Sequence, residues 1–268
     1  MSKAPAVDYA LQIIEFFAEN DTDIGIADIS NALSINKNAV SRVLEALLEK
    51  NWIYMCDTTS KKYRLTMKPF SLMSASVTRD EMVRIAKPIL SEVHKKLGDS
   101  VYLGIKNGKS VLYLLHFDSV KEVRISGRVG GEYPLHCSAP GKVIMSYSDT
   151  DEIRDYFSTQ LGKKTKNTIV DLDRFMVEAD RIKRLGYAVD DEEFADGIIC
   201  AAAPIFNHEG TLSASIGISC LTFYDSVDTL LNDKLSLLKR AADEISLRLG
   251  ARVCEGKIQS STQWKRKE

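Results

Sequence analysis

The first third of the chain carries apolar residues at every third or fourth position, which is the period of amphipathic helices. Two short apolar runs separated by polar residues follow, a pattern typical of a small β-hairpin. The predicted elements are helices over 7–19, 26–33 and 37–50 and strands over 52–55 and 63–65. Asn36, a favoured capping residue, closes the tight connection between the second and third helices. Two helices joined by a short turn and followed by a hairpin predict a winged helix-turn-helix.

Beyond residue 98 the pattern changes to strand-like runs, and glycines, nearly absent before this point, recur between them. Helical patterns over 70–77 and 79–97 connect the two regions, with Pro88 at a kink or a helix start. The later elements predicted are strands over 100–106, 110–117, 122–126, 198–206 and 211–219 and helices over 140–147, 151–160, 172–185 and 227–249. Strands flanked by helices at both ends predict an α/β (α+β) domain with an antiparallel sheet.

The composition agrees with a folded protein of this size. The chain has 268 residues, of which 44% are hydrophobic and 27% charged, as in ordinary globular proteins. We predict a winged helix-turn-helix domain over 1–68, linker helices over 69–98, an α/β domain over 99–256 and a disordered polar tail over 257–268.

The charge is unevenly distributed although the formal net charge is only −1. Residues 1–36 hold one basic and six acidic side chains, whereas residues 37–68 hold seven basic and three acidic ones. The positive charge therefore falls on the third helix and the hairpin, where DNA phosphates would lie in a winged helix.

The third helix has an outward polar face that suits DNA contact. The residues predicted to contact double-stranded DNA are Lys37, Asn38, Ser41, Arg42, Lys61 and Lys62. Short polar side chains and Arg42 suit base edges or phosphates, whereas the hairpin lysines suit the backbone. The alternative is an ordinary solvated helix, which helix and charge alone would favour. The short turn and the basic hairpin together favour the DNA-binding interpretation.

Targeting and cysteine patterns indicate a cytoplasmic protein. Residues 1–8 show no secretory signal, and the longest apolar stretch, 198–206, is too short to span a bilayer. The five cysteines are an odd number without a CxxC pair, which is typical of a reducing compartment. We therefore expect no membrane association.

The segment Ser138–Gly141 opens a predicted helix directly after a strand. Helix N-termini present free N–H groups, so a small carboxylate could dock there, with donors from Ala139 and Gly141 but not from Pro140. A plain, well-capped helix start is an equally good interpretation of these residues. His136 and Cys137 are adjacent on a strand and face opposite sides, so we predict no metal site and no cofactor.

Two later residues have neighbours in the sequence that predict an inward-facing side chain. Asp190 leads a run of four acids and directly follows an apolar strand, so it is the acid best placed to face inward. Cys200 lies in a buried apolar strand, where a free cysteine is normally a small core residue.

Four segments of the chain resemble the IclR family of bacterial transcriptional regulators. They are ISNALSINKNAVSRVLEALL at 29–48, PLHCSAPGK at 134–142, RLGYAVDDEEFADGIIC at 184–200 and AAAPIFNHEGTLSASIGIS at 201–219. The resemblance implies a winged helix, a linker helix and a GAF-like effector-binding domain. It further implies a homodimer or homotetramer that binds operator DNA and responds to small organic acids or aromatics.

The resemblance also implies where the effector binds. The implied effector-binding residues are Ile125, Tyr133, Ala139, Pro140, Gly141, Asp190, Cys200 and Ser219. Ile125 and Tyr133 match the apolar wall of the family's pocket. Gly217 stands where some relatives carry a hydroxyl residue, which leaves one polar contact fewer in this chain.

The leading hypothesis is a ligand-responsive transcription repressor that binds a palindromic operator and is not an enzyme. One alternative is a thiol redox sensor that uses Cys137, Cys200 or Cys220. Another is an enzyme acting on a small carboxylate through Cys137, His136 or Asp190, although the sequence contains no nucleophile elbow or metal motif.

Overall fold

The structure is a computed structural model. It describes residues 4–20, 22–57, 59, 61–69, 71–72, 81–251, 253–254 and 257–258. The chain divides into two compact units, Met1–Thr78 and Arg79–Glu268. The helix over 81–97, predicted as part of a separate linker, belongs to the second unit. Residues 73–80 of the predicted linker lie outside the described residues, and the finer domain boundaries stay a prediction.

The first unit contains the predicted helices and hairpin in the predicted order. Its elements are α1 (Pro5–Glu19), β1 (Ile24–Gly25), α2 (Ile26–Leu33), α3 (Lys37–Glu49), β2 (Ile53–Asp57) and β3 (Lys62–Leu65). In the described part of this unit the three strands form an antiparallel sheet in the order β1-β3-β2. Apolar faces of the helices and strands meet in one core, which includes Ile13, Phe17, Ile29, Val40 and Leu44.

The tight turn between α2 and α3 is fixed by three local interactions. Ser34 adopts the left-handed conformation with φ of 55° and ends α2. Ile35 is buried, and its carbonyl accepts a hydrogen bond from the Ser30 hydroxyl at 2.7 Å. The Asn36 side chain accepts from the Ala39 N–H at 2.9 Å and begins α3, as predicted. These contacts set the direction in which α3 leaves the turn.

The second unit is an α/β structure. Its elements are α4 (Glu81–Leu97), β4 (Ser100–Asn107), β5 (Ser110–Phe117), β6 (Glu132–Pro134), α5 (Ala139–Ser146), α6 (Thr150–Ser158), α7 (Leu172–Leu185), β7 (Ala188–Asp191), β8 (Ile198–Phe206), β9 (Leu212–Leu221), α8 (Val227–Thr229), a π-helical turn (Leu230–Lys234), α9 (Leu235–Arg248), β10 (Val253–Cys254) and β11 (Lys257–Ile258). Within the described ranges, six strands form one antiparallel sheet in the order β6-β5-β4-β9-β8-β7.

Helices cover both faces of this sheet. Strand β8 is buried at every position after the first, because α9 packs against it on one side and α5 on the other. Helix α4 packs against α9, and α7 packs against α5, so each face carries a pair of helices. The predicted fold class is confirmed.

Two predicted elements differ from the structure. The strand predicted at 122–126 is wrong: this segment is a loop, held where Lys121 pairs with Asp99 and Asp225. The outer edge of β5 is instead covered by β6, with Val111 opposite Tyr133. Pro88 lies inside α4 rather than at its start.

The helix predicted over 227–249 is interrupted by the π-helical turn. This turn places Lys234 so that its ammonium contacts Asp99 at 2.6 Å and Asp225 at 2.8 Å. The disorder predicted from residue 257 onward is wrong for Lys257 and Ile258, which pair with Cys254 and Val253. Residues 259–268 lie outside the described residues.

Candidate DNA-binding surface and effector cavity

Helix α3 presents a polar face opposite its buried stripe. Lys37, Asn38 and Arg42 are exposed, whereas Ala39, Val40, Val43, Leu44 and Leu47 pack into the core. Ser41 is half-buried, and its hydroxyl donates to the Glu45 carboxylate at 3.3 Å. The four predicted positions on α3 therefore fall on one side of the helix, with Ser41 already engaged within it.

The basic residues of α3 and the hairpin differ in whether they form ion pairs within the unit. Lys61 is exposed in the turn directly before β3 with φ of 50°, and Lys62 is half-buried in β3. Lys37, Arg42 and Lys61 form no ion pair within the described ranges. Arg64 instead pairs with Asp23, and this guanidinium holds the pKa of that carboxyl below its usual value. Part of the positive charge counted in the sequence is thus neutralised within the unit.

The second unit contains a partly open cavity of about 40 Å³. Its wall is formed by residues of the six strands β4 to β9, of the 118–131 loop and of the start of α5. The lining residues are Ser100, Tyr102, Tyr113, His116, Ile125, Gly127, Tyr133, Ser138, Ala139, Pro140, Asp190, Phe194, Ile198, Cys200 and Ser219. The structure therefore brings together seven of the eight predicted positions, and it leaves Gly141 outside the wall.

Gly141 has a packing role at the start of α5. Its N–H donates to the Ser138 hydroxyl at 3.2 Å, so it is not free for a ligand. A Cβ at this position would lie 2.6 Å from the Leu135 Cα and from the Pro134 oxygen. Ser138 in turn donates to the Pro134 carbonyl at 2.6 Å. Ala139 lines the cavity at the first position of α5, where a helix N–H has no intrahelical partner.

Asp190 lies at the end of β7 and is almost fully buried. One carboxylate oxygen accepts the N–H groups of Glu193 at 2.7 Å and Phe194 at 3.2 Å, which fixes the loop that covers the cavity. Burial raises the pKa of Asp190 to about 7 despite these hydrogen bonds. The described wall contains no lysine or arginine. The cavity therefore offers neutral donors rather than a full positive charge.

Cys200 and Ser219 face each other across β8 and β9. The thiol and the hydroxyl are 3.0 Å apart, at the register position that pairs the two residues. This pair lies beside Asp190, which is opposite Cys200 on β7. The strand order thus explains why three residues far apart in the sequence line one cavity.

Aromatic residues form much of the wall, and of these only Tyr133 was among the predicted site residues. Tyr102, Tyr113 and Tyr133 stack in series, with ring centroids 4.5 Å and 4.2 Å apart. His116 stacks on Tyr113 at 6.1 Å, and burial lowers its pKa. Phe194 closes the stack edge-on to Tyr133 at 5.8 Å. Aromatic residues on strands normally indicate a hydrophobic core. Only knowledge of where the polar tyrosine hydroxyls lie could have indicated a binding site.

A buried ionic network lies behind the wall. The Lys142 ammonium, on α5, pairs with Glu193 and lies 3.4 Å from Glu178. Glu178 also binds Arg181 at 2.6 Å, and these cations keep its pKa below the ordinary value although burial opposes them. The pKa of Glu193 is raised by burial, against the effect of Lys142. This network holds the covering loop to α5 and α7.

A second buried group has the spacing of metal ligands. One atom each from Asp99, Cys220 and Asp225 lie within 4.8 Å of one another. The ammonium groups of Lys121 and Lys234 each contact both carboxylates, so the negative charge is already compensated by the chain itself. This arrangement is that of a structural ion-pair cluster.

Together the two units define a class of protein: a transcription regulator with an N-terminal winged helix and a C-terminal effector domain. Comparison with known families gives the same result. A model described as the IclR helix-turn-helix domain matches residues 6–54, and one described as the bacterial transcriptional regulator IclR C-terminal matches residues 74–247. The chain belongs to the IclR family of DNA-binding transcription regulators.

Relatives with known names or structures cover nearly the whole chain. The HTH-type transcriptional regulator KdgR of Escherichia coli is 28% identical over 231 residues, which is 86% of this chain and 87% of the relative. The crystal structure of the Thermotoga maritima IclR is 27% identical with a TM-score of 0.76, and covers 92% of this chain and 99% of that one. An IclR homologue from Microbacterium hydrocarbonoxydans, solved with 4-hydroxybenzoate, shares the fold at 19% identity and a TM-score of 0.78, over 91% and 98% of the chains.

Proposed function

We propose that the protein is a repressor that occupies a palindromic operator and leaves it when a small organic acid or aromatic carboxylate enters the cavity. The observation that carries this proposal is the cavity, in which residues from six strands and the start of α5 converge. An apolar wall with a few buried polar groups is the usual composition of a small-molecule site.

The proposed DNA contacts follow from exposure on α3 and the hairpin. Asn38, Ser41 and Arg42 would reach base edges or phosphates. Lys37 and Lys61, which form no ion pair among the described residues, would contact the backbone together with Lys62. A dimer or tetramer would place two copies of α3 in successive major grooves, about 34 Å apart. This activity places the protein in the cytoplasm, with the chromosome. No helix in the described part of the chain is long and apolar enough to cross a membrane.

The cavity dimensions favour a small acid. A volume of about 40 Å³ is close to that of one or two water molecules, so it accepts a few heavy atoms without rearrangement. The 4-hydroxybenzoate bound by the Microbacterium homologue shows that a fold of this kind can hold a ring. An aromatic effector would require the covering loop and Phe194 to move.

The alternative functions have specific observations against them. Burial raises the pKa of Cys137 and Cys220 to about 12 and that of Cys200 well above its ordinary value, so these thiols stay protonated and react slowly with oxidants. His136 is held by the Tyr156 hydroxyl at 3.0 Å and the Gly162 carbonyl at 3.1 Å, which occupies both ring nitrogens. We therefore propose neither a thiol sensor nor an enzyme.

The DNA-binding part is tested by Arg42→Ala on an operator identified by genomic footprinting. We expect the affinity for that operator to fall by about five- to 150-fold, because one specific arginine contact contributes roughly 1–3 kcal/mol. The measurement is fluorescence anisotropy at fixed salt. Arg84→Ala, which removes the same charge from an exposed position on α4, is the control and should leave DNA affinity unchanged. Unchanged affinity in both Arg42→Ala and Lys37→Ala would refute the assignment of α3.

A further inference from the structure

The hydroxyl of Tyr102 is a buried polar group without a hydrogen-bond partner among the described residues. The residue is 1% exposed, and its side chain lines the cavity. Its polar neighbours Cys200 and Ser219 are engaged with each other. An unpaired buried hydroxyl is costly, so its presence needs a physical reason.

The position of this hydroxyl is fixed by Gly217. Tyr102 on β4 lies opposite Gly217 on β9, and a Cβ at position 217 would lie 2.3 Å from the Tyr102 ring and 2.5 Å from its hydroxyl oxygen. On its other face the ring stacks on Tyr113, with an interplanar angle of 10°. The space that a side chain at 217 would fill is therefore occupied by Tyr102. The polar contact expected to be missing at Gly217 is supplied from the neighbouring strand.

At neutral pH this hydroxyl is protonated and can donate a hydrogen bond, because burial raises the pKa of Tyr102 well above its ordinary value. The complementary group is an oxygen acceptor such as a hydroxyl, a carbonyl or a carboxylate oxygen. A ligand that offers hydrocarbon at this point would leave the hydroxyl unpaired, whereas one that offers oxygen would satisfy it.

We propose that Tyr102 is a specificity-determining residue that selects hydroxy or oxo acids over acids of the same shape without the extra oxygen. This inference rests on the proposed role of the cavity as the effector site. The Ala139 N–H would donate a hydrogen bond to one oxygen of such a ligand, and the Tyr102 hydroxyl would donate to another. Two separated donors thus select for two separated oxygens.

The test compares Tyr102→Phe with Tyr156→Phe in the full chain. Tyr156 is also buried, but its hydroxyl is bonded to His136 at 3.0 Å and lies outside the cavity wall. Without ligand, Tyr102→Phe should leave the Tm unchanged or raise it by ~1–2 °C, because it removes an unpaired hydroxyl. Tyr156→Phe should lower the Tm by ~2 °C or more, because it removes a bonded one.

Binding is then measured by titration calorimetry with two matched pairs of probes: lactate with propionate, and 4-hydroxybenzoate with benzoate. The wild-type protein should bind the hydroxylated member of at least one pair about tenfold more tightly, and Tyr102→Phe should abolish that preference by weakening the hydroxylated probe. Tyr156→Phe should retain the preference.

Equal affinities within every pair that binds would overturn the role of Tyr102 and leave the effector site intact. The same conclusion follows if the preference survives in Tyr102→Phe, or if that variant loses as much stability as Tyr156→Phe. If the wild-type protein binds none of the four probes, the proposed effector site fails, and this inference fails with it.

Discussion

Lysine has opposite roles in the two units of this protein. On α3 and the hairpin, Lys37 and Lys61 are exposed and form no ion pair within the described ranges. In the effector domain, Lys142 and Lys234 are buried and each contacts two carboxylates. Free cations can exchange water and counterions for DNA phosphates, whereas buried cations hold elements of the fold together. A charge count along the sequence gives both kinds the same value.

The largest expected effect comes from Lys142→Met. The substitution keeps most of the side-chain volume but leaves the buried Glu193 carboxylate without its cation, since Arg181 compensates only Glu178. Breaking one partner of a buried pair costs about 3–5 kcal/mol of unfolding free energy. Urea unfolding, followed by circular dichroism, measures it.

Lys95→Met is the matched control, because Lys95 forms an exposed pair with Glu92 at 2.8 Å. Its loss should change the unfolding free energy by less than about 0.5 kcal/mol. Similar small losses in both variants would show that the buried and exposed lysines do not differ in the way the structure implies.

The next effect is a dependence of stability on pH that is due to Asp190. Its pKa is raised from an ordinary value of 3.8 to about 7 in the folded protein, so the folded state binds a proton that the unfolded state has released. Stability should therefore fall as the pH rises from about 4, and the loss should level off above about pH 8.

Asp190→Asn removes this titration while keeping an oxygen for the N–H groups of Glu193 and Phe194. Between pH 5 and pH 8 the wild-type protein should lose about 2–3 kcal/mol more unfolding free energy than the variant. The comparison is made by urea unfolding at both pH values. Parallel pH profiles would mean that Asp190 is ionised in the folded protein throughout this range.

The proposed DNA-binding surface was more accessible to sequence reasoning than the cavity. The helical period separated Val40 and Leu44 from Lys37 and Arg42, because exposed and buried positions alternate regularly on a surface helix. The predicted residues that line the cavity depended on family resemblance, since Cys200 and Ile125 look like ordinary core residues. The winged helix, the order of nearly all elements and the fold class followed from pattern alone.

The features that the sequence did not predict depend on contacts between residues far apart in the chain. Tyr102 faces the cavity only because β4 pairs with β9 opposite Gly217, a contact between residues more than a hundred positions apart. The same holds for the loop predicted as a strand at 122–126, which is held by Lys121 contacts with Asp99 and Asp225. Neither pairing leaves a local periodic signal.

The smallest predicted effect separates folding from DNA contact on α3 itself. Asn36 caps the helix by accepting a hydrogen bond from the Ala39 N–H. Asn38, two residues later, is exposed on the proposed DNA-binding surface. Asn36→Ala should cost about 1 kcal/mol of unfolding free energy by removing the cap. Asn38→Ala should change stability by less than about 0.5 kcal/mol and still weaken operator binding. Hydrogen exchange of the α3 amides in the full chain measures the first effect, and fluorescence anisotropy the second. If Asn38→Ala destabilises α3 as much as Asn36→Ala does, the exposed face contributes to the fold, and the contrast between the two units is weaker than proposed.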